Sequence, residues 1–363
     1  MYAMGAGVAT NYQEAVRWYR LAADQNYAEA QGNVGFMYEN GLGVEKDHRE
    51  ASRWYRNAAE QGEVKAQAAL GRMYETGLGV GKDYQEAAKW YRLAANQGHA
   101  RAQNNLGVLY RNGYGVEKNQ QQALIWYRKA AEQGYAIAQS NLGFSYQYGQ
   151  GVEKNYEEAF KWYRLAADQG HAIGQNNLGT MYQNGFGVEK DNQEALKWYR
   201  KAADQGYAIA QANLGFMYKH GYGVKSDYQE ALKWYGLAAD QGNAKAQNDI
   251  GVMYISGHGV QKNYQEALKW YRKAAVQGYA VSQVNLAIMY KNGHGVAKNS
   301  LEAMTWFQKA AEQGNPNAQR NLGFMYEKGE GGQRDRAKAI GWYQKAADQG
   351  DHYSIQALKR LRP

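Results

Sequence analysis

The chain has 363 residues, with 43 basic and 34 acidic side chains and no cysteine. The absence of cysteine excludes disulfide bridges, thiolate nucleophiles and zinc sites with sulfur ligands. An aromatic content of 13% with only two prolines argues against disorder. No apolar stretch reaches the length of about 18 residues that a membrane-spanning helix needs.

Tryptophan recurs at a constant interval of 36 residues, without one insertion or deletion. The ten tryptophans are Trp18, Trp54, Trp90, Trp126, Trp162, Trp198, Trp234, Trp270, Trp306 and Trp342. A fixed period of this size is typical of a stacked array of small supersecondary units. The sequence therefore predicts one repeat array over residues 1–363 rather than the two or three domains that length alone suggests.

The chain starts inside a repeat, because Met1-Tyr2 corresponds to Met37-Tyr38 one period later. We therefore expect the first unit to be truncated at its N terminus. Met1 is then either an internal methionine of a longer protein or the start of a shortened gene product. Any signal peptide is expected upstream of the residues in this chain.

The helix that carries each tryptophan, helix B, has both ends encoded in the sequence. Asp or Asn precedes it in every repeat, as Asn155 does, and Glu158 three residues later completes a capping box. The helix then ends at Gly170, a position that is Gly in nine repeats and Asn26 in the first. Both residues accept the left-handed conformation that commonly follows a helix.

The other helix, helix A, occupies segments such as residues 208–221. Ala208, Leu214 and Gly215 recur there with the spacing of a packed helical face, and a GxGV loop leads to the next cap. No alternating pattern predicts a strand. The predicted fold is therefore all-α, an α/α solenoid of about ten helix-turn-helix repeats of 36 residues. Small residues on helix A and bulky Trp-Tyr pairs on helix B predict a stack that curves with helix A concave and helix B convex. We expect the superhelix to be right-handed.

The C-terminal residues 351–363 differ from a repeat. Residues 353–362 keep a helical periodicity but lose the Gly and Tyr of the unit. Because the ends of a solenoid need a polar outer face, we expect a capping helix here.

The consensus AxAQxNLGxMYxxGxGVxK(D/N)YxxAxxWYRxAAxQG resembles the Sel-one-like repeat family, a branch of the tetratricopeptide-like solenoids, over essentially the whole chain. The sequence departs from that family in lacking the cysteine pairs of some members, and Gly332 replaces the loop valine. The resemblance implies a bacterial protein, located in the periplasm or secreted, whose inner helix-A face contacts ligands. Some members of the family have been proposed to bind or hydrolyse β-lactams.

The repeats differ from one another mainly at five positions of helix A. In the repeat that follows Trp54, these positions hold Lys65, Ala68, Arg72, Glu75 and Thr76. Steps of three and four along a helix place them on one face, which we call the A-helix stripe. We refer to each stripe position by its residue in this repeat. The Arg72 position of another repeat is the residue that lies a whole number of 36-residue periods from Arg72.

On the concave side, the stripe forms the floor of a groove. The candidate partner-binding residues lie on this stripe, except for Asn177, which belongs to an asparagine ladder beside it. The candidates are Phe36, Arg72, Arg111, Phe144, Tyr148, Asn177, Phe216, Lys219, Ile288 and Phe324.

Two interpretations of the stripe remain open. Aromatic residues rimmed by polar ones are typical of a protein or peptide interface; alternatively, the phenylalanines lean on the neighbouring repeat and vary neutrally. The ladder has the same ambiguity, because an amide bonds either a bound peptide or the next repeat. Its members are Asn33, Asn105, Asn141, Asn177, Asn213, Asn285 and Asn321.

No enzyme motif, cofactor site or metal site is predicted. The loop glycines lack the strand that a dinucleotide fingerprint requires, and the paired loop histidines His258 and His294 lack carboxylate neighbours. The net charge of +9 lies largely in helix-B arginines that face acidic residues, as Arg164 faces Asp168, so no nucleic-acid partner is expected.

The predicted function is therefore a monomeric, non-catalytic scaffold that binds a protein or an extended peptide in the helix-A groove. The alternative is a cell-envelope protein that binds glycans or β-lactams and has at most weak hydrolase activity.

Overall fold

The computed structural model describes residues 10–361 and contains 20 α-helices and no strand in that range. The expected truncation at Met1 lies outside the described residues. The helices are α1 (Tyr12–Ala23), α2 (Ala28–Asn40), α3 (His48–Glu60), α4 (Val64–Thr76), α5 (Tyr84–Asn96), α6 (Ala100–Asn112), α7 (Gln120–Glu132), α8 (Ala136–Tyr148), α9 (Tyr156–Asp168), α10 (Ala172–Asn184), α11 (Asn192–Asp204), α12 (Ala208–His220), α13 (Tyr228–Asp240), α14 (Ala244–Ser256), α15 (Tyr264–Val276), α16 (Ala280–Asn292), α17 (Ser300–Glu312), α18 (Pro316–Lys328), α19 (Arg336–Ala347) and α20 (His352–Leu361).

The helices belong to two compact units, residues 1–190 and residues 191–363. The odd-numbered helices are the B helices of the repeats, and the even-numbered helices up to α18 are the A helices. Within each unit every helix packs against the next one along the chain. Alternate helices also touch, as α2 touches α4 and α4 touches α6 in the first unit, and α18 touches α20 in the second. The all-α tandem-repeat fold is thereby confirmed.

Both ends of helix B lie where the sequence predicted them. The Asp47 carboxylate accepts hydrogen bonds from the backbone N–H groups of Arg49 and Glu50, at 2.8 and 3.1 Å. An Asp or Asn side chain caps all ten B helices in this way. At the other end Gly62 has φ +93°, and Asn26 is the only non-glycine residue of the described chain with positive φ.

The capping box differs from the predicted one in its second half. The N–H of Asp47 donates to the carbonyl of Tyr38 in the preceding A helix, at 3.0 Å. Glu50 is therefore free to pair with Arg53, at 2.6 Å. In a capping box the N–H of the cap residue donates to a Glu side chain of its own helix, whereas here it donates to a carbonyl of the preceding helix. The cap therefore also fixes the angle between the two helices.

Glycine on helix A allows the tyrosine of the following B helix to pack against the helix backbone. A Cβ atom on Gly71 would lie 2.6 Å from the Tyr91 ring, and one on Gly107 would lie 2.7 Å from the Tyr127 ring. Both tyrosines are almost completely buried. The close approach carries each tyrosine hydroxyl across to the A-helix stripe, where its partners differ between repeats.

A buried glutamine network joins each repeat to the next within both units, and sequence analysis missed it. The Gln103 amide donates to the Ala95 carbonyl at 3.0 Å and accepts from Gln133 at 2.7 Å. Equivalent pairs link Gln61 to Gln31, Gln97 to Gln67, Gln169 to Gln139, Gln241 to Gln211, Gln277 to Gln247, Gln313 to Gln283 and Gln349 to Gln319. The invariant glutamine of the AxAQ motif was the signal for it.

The helix-B arginines are held differently from the prediction. Arg164 does pair with Asp168, at 3.0 Å. The arginine at this position more often donates to a tyrosine hydroxyl of the following A helix, as Arg92 does to Tyr110 at 2.7 Å. This hydrogen bond joins helix B to the following A helix. An ion pair between two residues of helix B, such as Arg164 and Asp168, does not join two helices.

Candidate functional site

The Arg72 position of the stripe is at least partly exposed in every repeat of the described chain. Phe36 is 51% exposed and Ile288 is 37% exposed. The half-buried residues at this position include Arg72, Phe144, Phe216 and Phe324. Phe216 and Phe324 also pack partly against the core of their repeats. These phenylalanines therefore combine the two interpretations, since each is partly accessible and partly packed.

The Ala68 position of the stripe is mostly closed, so the accessible stripe is narrower than predicted. Its residues Asn104, Ser140 and Asn176 are buried. The Ser140 hydroxyl lies 2.8 Å from Nδ1 of His171, at the start of the next A helix. This position faces the neighbouring repeat, and its variation therefore reflects different contacts between repeats rather than different ligands.

Two asparagines of the ladder, Asn141 and Asn285, bond another repeat. Nδ2 of Asn141 donates to Oδ1 of Asn104 at 2.8 Å, and Asn285 donates to Asn248 at 2.9 Å. Asn177 is half-buried and accepts from Asn176 at 3.2 Å. These contacts favour the internal role for the asparagines that make them, and partner binding by Asn177 stays a prediction.

The tyrosine hydroxyls of helix B reach the Glu75 position of the preceding A helix. Tyr91 donates to the Glu75 carboxylate at 2.6 Å, and Tyr55 donates to Glu39 at 2.9 Å. Arg72 of the next repeat also pairs with Glu39. A carboxylate at this position is thus held by a buried hydroxyl and, in the repeat of Glu39, by a guanidinium as well.

Arg111 and Lys219 occupy this same position in two other repeats. Tyr127 and Tyr235 are the helix-B tyrosines equivalent to Tyr55 and Tyr91 in these two repeats. Their hydroxyls are buried and have no hydrogen-bond partner among the described residues. Burial raises the pKa of Tyr127 to about 12, and the positive charge of Arg111 opposes that shift. Each site thus combines a cation with a hydroxyl donor that lacks an acceptor.

Three consecutive A helices of the first unit, α2, α4 and α6, line a cavity of about 420 Å³. Its walls include the stripe residues Glu29, Phe36, Glu39, Lys65, Arg72 and Arg101. Two of the predicted residues, Phe36 and Arg72, therefore line the same cavity. In the second unit, a cavity of about 150 Å³ is lined by Lys291, Arg320, Asn321, Phe324 and Tyr353.

The three other predicted phenylalanines, Phe144, Phe216 and Phe324, make smaller aromatic and cation–π contacts. The rings of Phe144 and Tyr148 lie 4.5 Å apart, and Tyr148 is 58% exposed. The ammonium group of Lys245 lies 5.7 Å from the centre of the Phe216 ring. Lys291 approaches the Phe324 ring to 4.4 Å. Such cation–π contacts leave the stripe amphipathic rather than purely apolar.

One acidic residue replaces an asparagine of the ladder in the second unit. Burial raises the pKa of Asp249, and the nearby Lys219 and Lys245 oppose the shift without cancelling it. The carboxylate is therefore poorly solvated and its charge is incompletely compensated.

The paired loop histidines have packing partners. His258 stacks on Tyr228 with ring centres 4.5 Å apart, and His294 stacks on Tyr264 at 4.9 Å. In residues 10–361 no group of three His, Asp or Glu side chains is arranged to hold a metal ion. No helix in that part of the chain is both long enough and apolar enough to cross a membrane.

The sequence profile of the Sel1 repeat matches ten consecutive segments of the chain, residues 1–27, 28–63, 64–99, 100–135, 136–171, 172–207, 208–243, 244–279, 280–315 and 316–351. The chain belongs to the Sel1 repeat family. Sel1 repeat solenoids are generally non-catalytic scaffolds for protein interaction.

Two solved structures of Sel1-type proteins are similar to this Sel1 repeat protein. One is c5321, a protective antigen of uropathogenic Escherichia coli with an SLR fold; it is 36% identical, with a TM-score of 0.67, over 95% of this chain and 82% of that one. The other is a Sel1 repeat protein from Oxalobacter formigenes, which is 35% identical, with a TM-score of 0.64, over 85% of this chain and 89% of that one. A comparison with curated proteins gave no match.

Proposed function

We propose that this Sel1 repeat protein is a non-catalytic scaffold that binds another protein or an extended peptide on its A-helix stripe. The observation that carries the proposal is the behaviour of the Arg72 position. It is at least partly exposed in every described repeat, yet it changes between Phe, Arg, Val, Thr and Ile. Packing positions such as Leu142 and Tyr163 are instead buried and nearly constant.

The chemistry of the stripe suits a peptide better than a small apolar ligand. The cavity of the first unit joins an exposed aromatic ring, Phe36, to the ion pair between Arg72 and Glu39. Apolar anchors surrounded by charged and polar groups are typical of protein interfaces. A preformed helical surface also loses little conformational freedom when a partner binds.

A pull-down from the native source tests this function with two matched double variants. Phe144→Asp/Phe216→Asp places one new charge on the stripe in each unit. Leu165→Asp/Leu237→Asp places the same charges at exposed apolar residues of helix B, where Leu165 is 47% exposed and Leu237 is 43% exposed. We expect the stripe variant to lose a protein partner that the helix-B variant retains, with unchanged circular dichroism for both.

Retention of every partner by a folded stripe variant contradicts the proposal. Binding to purified peptidoglycan that survives the stripe substitutions would favour the glycan-binding alternative instead.

A further inference from the structure

Within the protein itself, two carboxylates at the Glu75 position of their repeats are held in the same way. Glu39 accepts from the Tyr55 hydroxyl and pairs with Arg72. In the second unit Glu327 accepts from the Tyr343 hydroxyl at 2.9 Å and from Arg360 at 2.8 Å. The tyrosine follows the glutamate by 16 residues and the arginine follows it by 33 in both cases. This place in the repeat therefore binds a carboxylate when the sequence supplies one.

In the first unit Arg111 replaces the carboxylate at this position, and the tyrosine hydroxyl that would donate to a carboxylate remains. The Tyr127 ring is completely buried, and its hydroxyl has no acceptor within the described residues. In the preceding repeat the equivalent hydroxyl, of Tyr91, reaches Glu75 at 2.6 Å. Arg111 forms no ion pair with any residue in the described part of the chain. A buried hydroxyl without an acceptor is unfavourable, and the adjacent guanidinium adds further donors that carry a positive charge.

Building on the proposed function, we infer that Arg111 and the Tyr127 hydroxyl bind the carboxylate of an Asp or Glu side chain in the partner. The Tyr127 hydroxyl is buried in the unbound chain, so the Arg111 side chain moves aside and the partner carboxylate enters the place that Glu75 occupies one repeat earlier. Phe144 occupies the position equivalent to Arg72, and its ring lies 4.5 Å from that of Tyr148. An apolar or aromatic residue next to the acidic one is thus expected to pack on this ring pair.

Charge complementarity supports an acidic occupant. The chain carries a net charge of +9, so the long-range field attracts acidic segments. A charge-assisted pair between guanidinium and carboxylate then gives local specificity, because it also depends on orientation.

The same replacement occurs in the second unit, where Lys219 takes this position and the hydroxyl of Tyr235 is buried without a hydrogen-bond partner among the described residues. Here Asp249 lies close enough to Lys219 and Tyr235 to interact electrostatically with both. Part of the positive charge of Lys219 is therefore balanced within the protein. We expect a carboxylate to bind there more weakly than at Arg111.

A double-mutant cycle tests the carboxylate site without a partner. The substitution Arg111→Glu places an internal carboxylate where the hydroxyl of Tyr127 can donate to it, as in the preceding repeat. We measure the change in melting temperature that Arg111→Glu causes, once with Tyr127 present and once in the Tyr127→Phe background. We expect this change to be about 2–4 °C more favourable with Tyr127 present. Tyr127→Phe alone should raise the melting temperature slightly, because it removes a buried hydroxyl that has no acceptor, whereas Tyr91→Phe should lower it. An Arg111→Glu effect that is the same in both backgrounds overturns the inference.

The second test uses the peptide acetyl-Phe-Glu-Phe-amide and its Gln analogue, titrated into the full chain and followed by NMR. We expect the Glu peptide to bind about tenfold more tightly than the Gln peptide. Arg111→Met should abolish that difference. Lys118→Met, which removes an equal charge from an exposed loop outside the stripe, should preserve it.

Equal affinities for the two peptides, no binding of either, or equal losses in both variants overturn the carboxylate site. The proposed function fails separately, when the Phe144→Asp/Phe216→Asp variant keeps all its partners. If that variant loses a partner but the chain does not prefer the Glu peptide, the scaffold function is retained and only the carboxylate site is rejected.

Discussion

Replacing Gln103 by Met should weaken the packing of α6 against the preceding repeat and against α7 of its own repeat. Gln103 is 4% exposed, and its amide makes two hydrogen bonds, one to the Ala95 carbonyl and one from Gln133. Methionine has nearly the same length and keeps the packing but makes neither bond. At a net value of about 1 kcal/mol for each hydrogen bond, the free energy of opening should fall by about 2 kcal/mol.

Native-state hydrogen exchange is the suitable assay, because repeat arrays open locally and exchange reports the opening of each helix separately. A loss of about 2 kcal/mol corresponds to an increase of about 30-fold in the exchange rates of the slowest amides in α6 and α7. Gln121→Met, at an exposed position of α7, serves as the control and should change these rates little. If both variants exchange alike, the glutamine network contributes no net stability and its constancy needs another explanation.

Three further substitutions test the packing and the electrostatics. Leu142→Ala removes a fully buried side chain and should cost about 2–5 kcal/mol in chemical denaturation, whereas Leu165→Ala at an exposed site should cost less than about 0.5 kcal/mol. Gly143→Ala places a Cβ 2.8 Å from the Tyr163 ring and should destabilise by about 1–3 kcal/mol, with equal stability arguing against the close approach. Asp249→Asn should stabilise the protein at pH 7, because the raised pKa of Asp249 means that the folded state disfavours the charged form. That gain should shrink as the pH falls through the raised pKa, and a gain independent of pH would contradict it.

The fold was predictable in detail because its signals are local and repeated ten times. Asn26 shows how far this extends, since its replacement of glycine predicted a left-handed residue and the structure has φ +68° there. The Gly-Tyr contact was predictable only in part. Sequence indicated that Gly215 permits a close approach, but not that the Tyr235 ring is the group that approaches it.

The candidate site was less predictable, because variation between repeats does not distinguish an open position from a contact between repeats. Asn104 and Arg72 both vary along the array, yet Asn104 is buried against Asn141 of the next A helix and Arg72 lines a cavity. Only the relative placement of consecutive A helices distinguishes the buried position of Asn104 from the accessible position of Arg72. That placement depends on packing and is not written in any single repeat.

The tyrosine of helix B connects the constant part of the repeat to the variable part. Its ring is a packing element that fits against glycine, so Tyr91 and Tyr127 are buried alike. Its hydroxyl nevertheless ends at a stripe position that is Glu75 in one repeat and Arg111 in the next. A single substitution on the stripe therefore changes a satisfied internal bond into an open donor without disturbing the core. Because each repeat contacts mainly its neighbours, such changes are nearly independent along the array. A solenoid of identical helix pairs thus acquires different binding chemistry in each repeat through its surface residues alone.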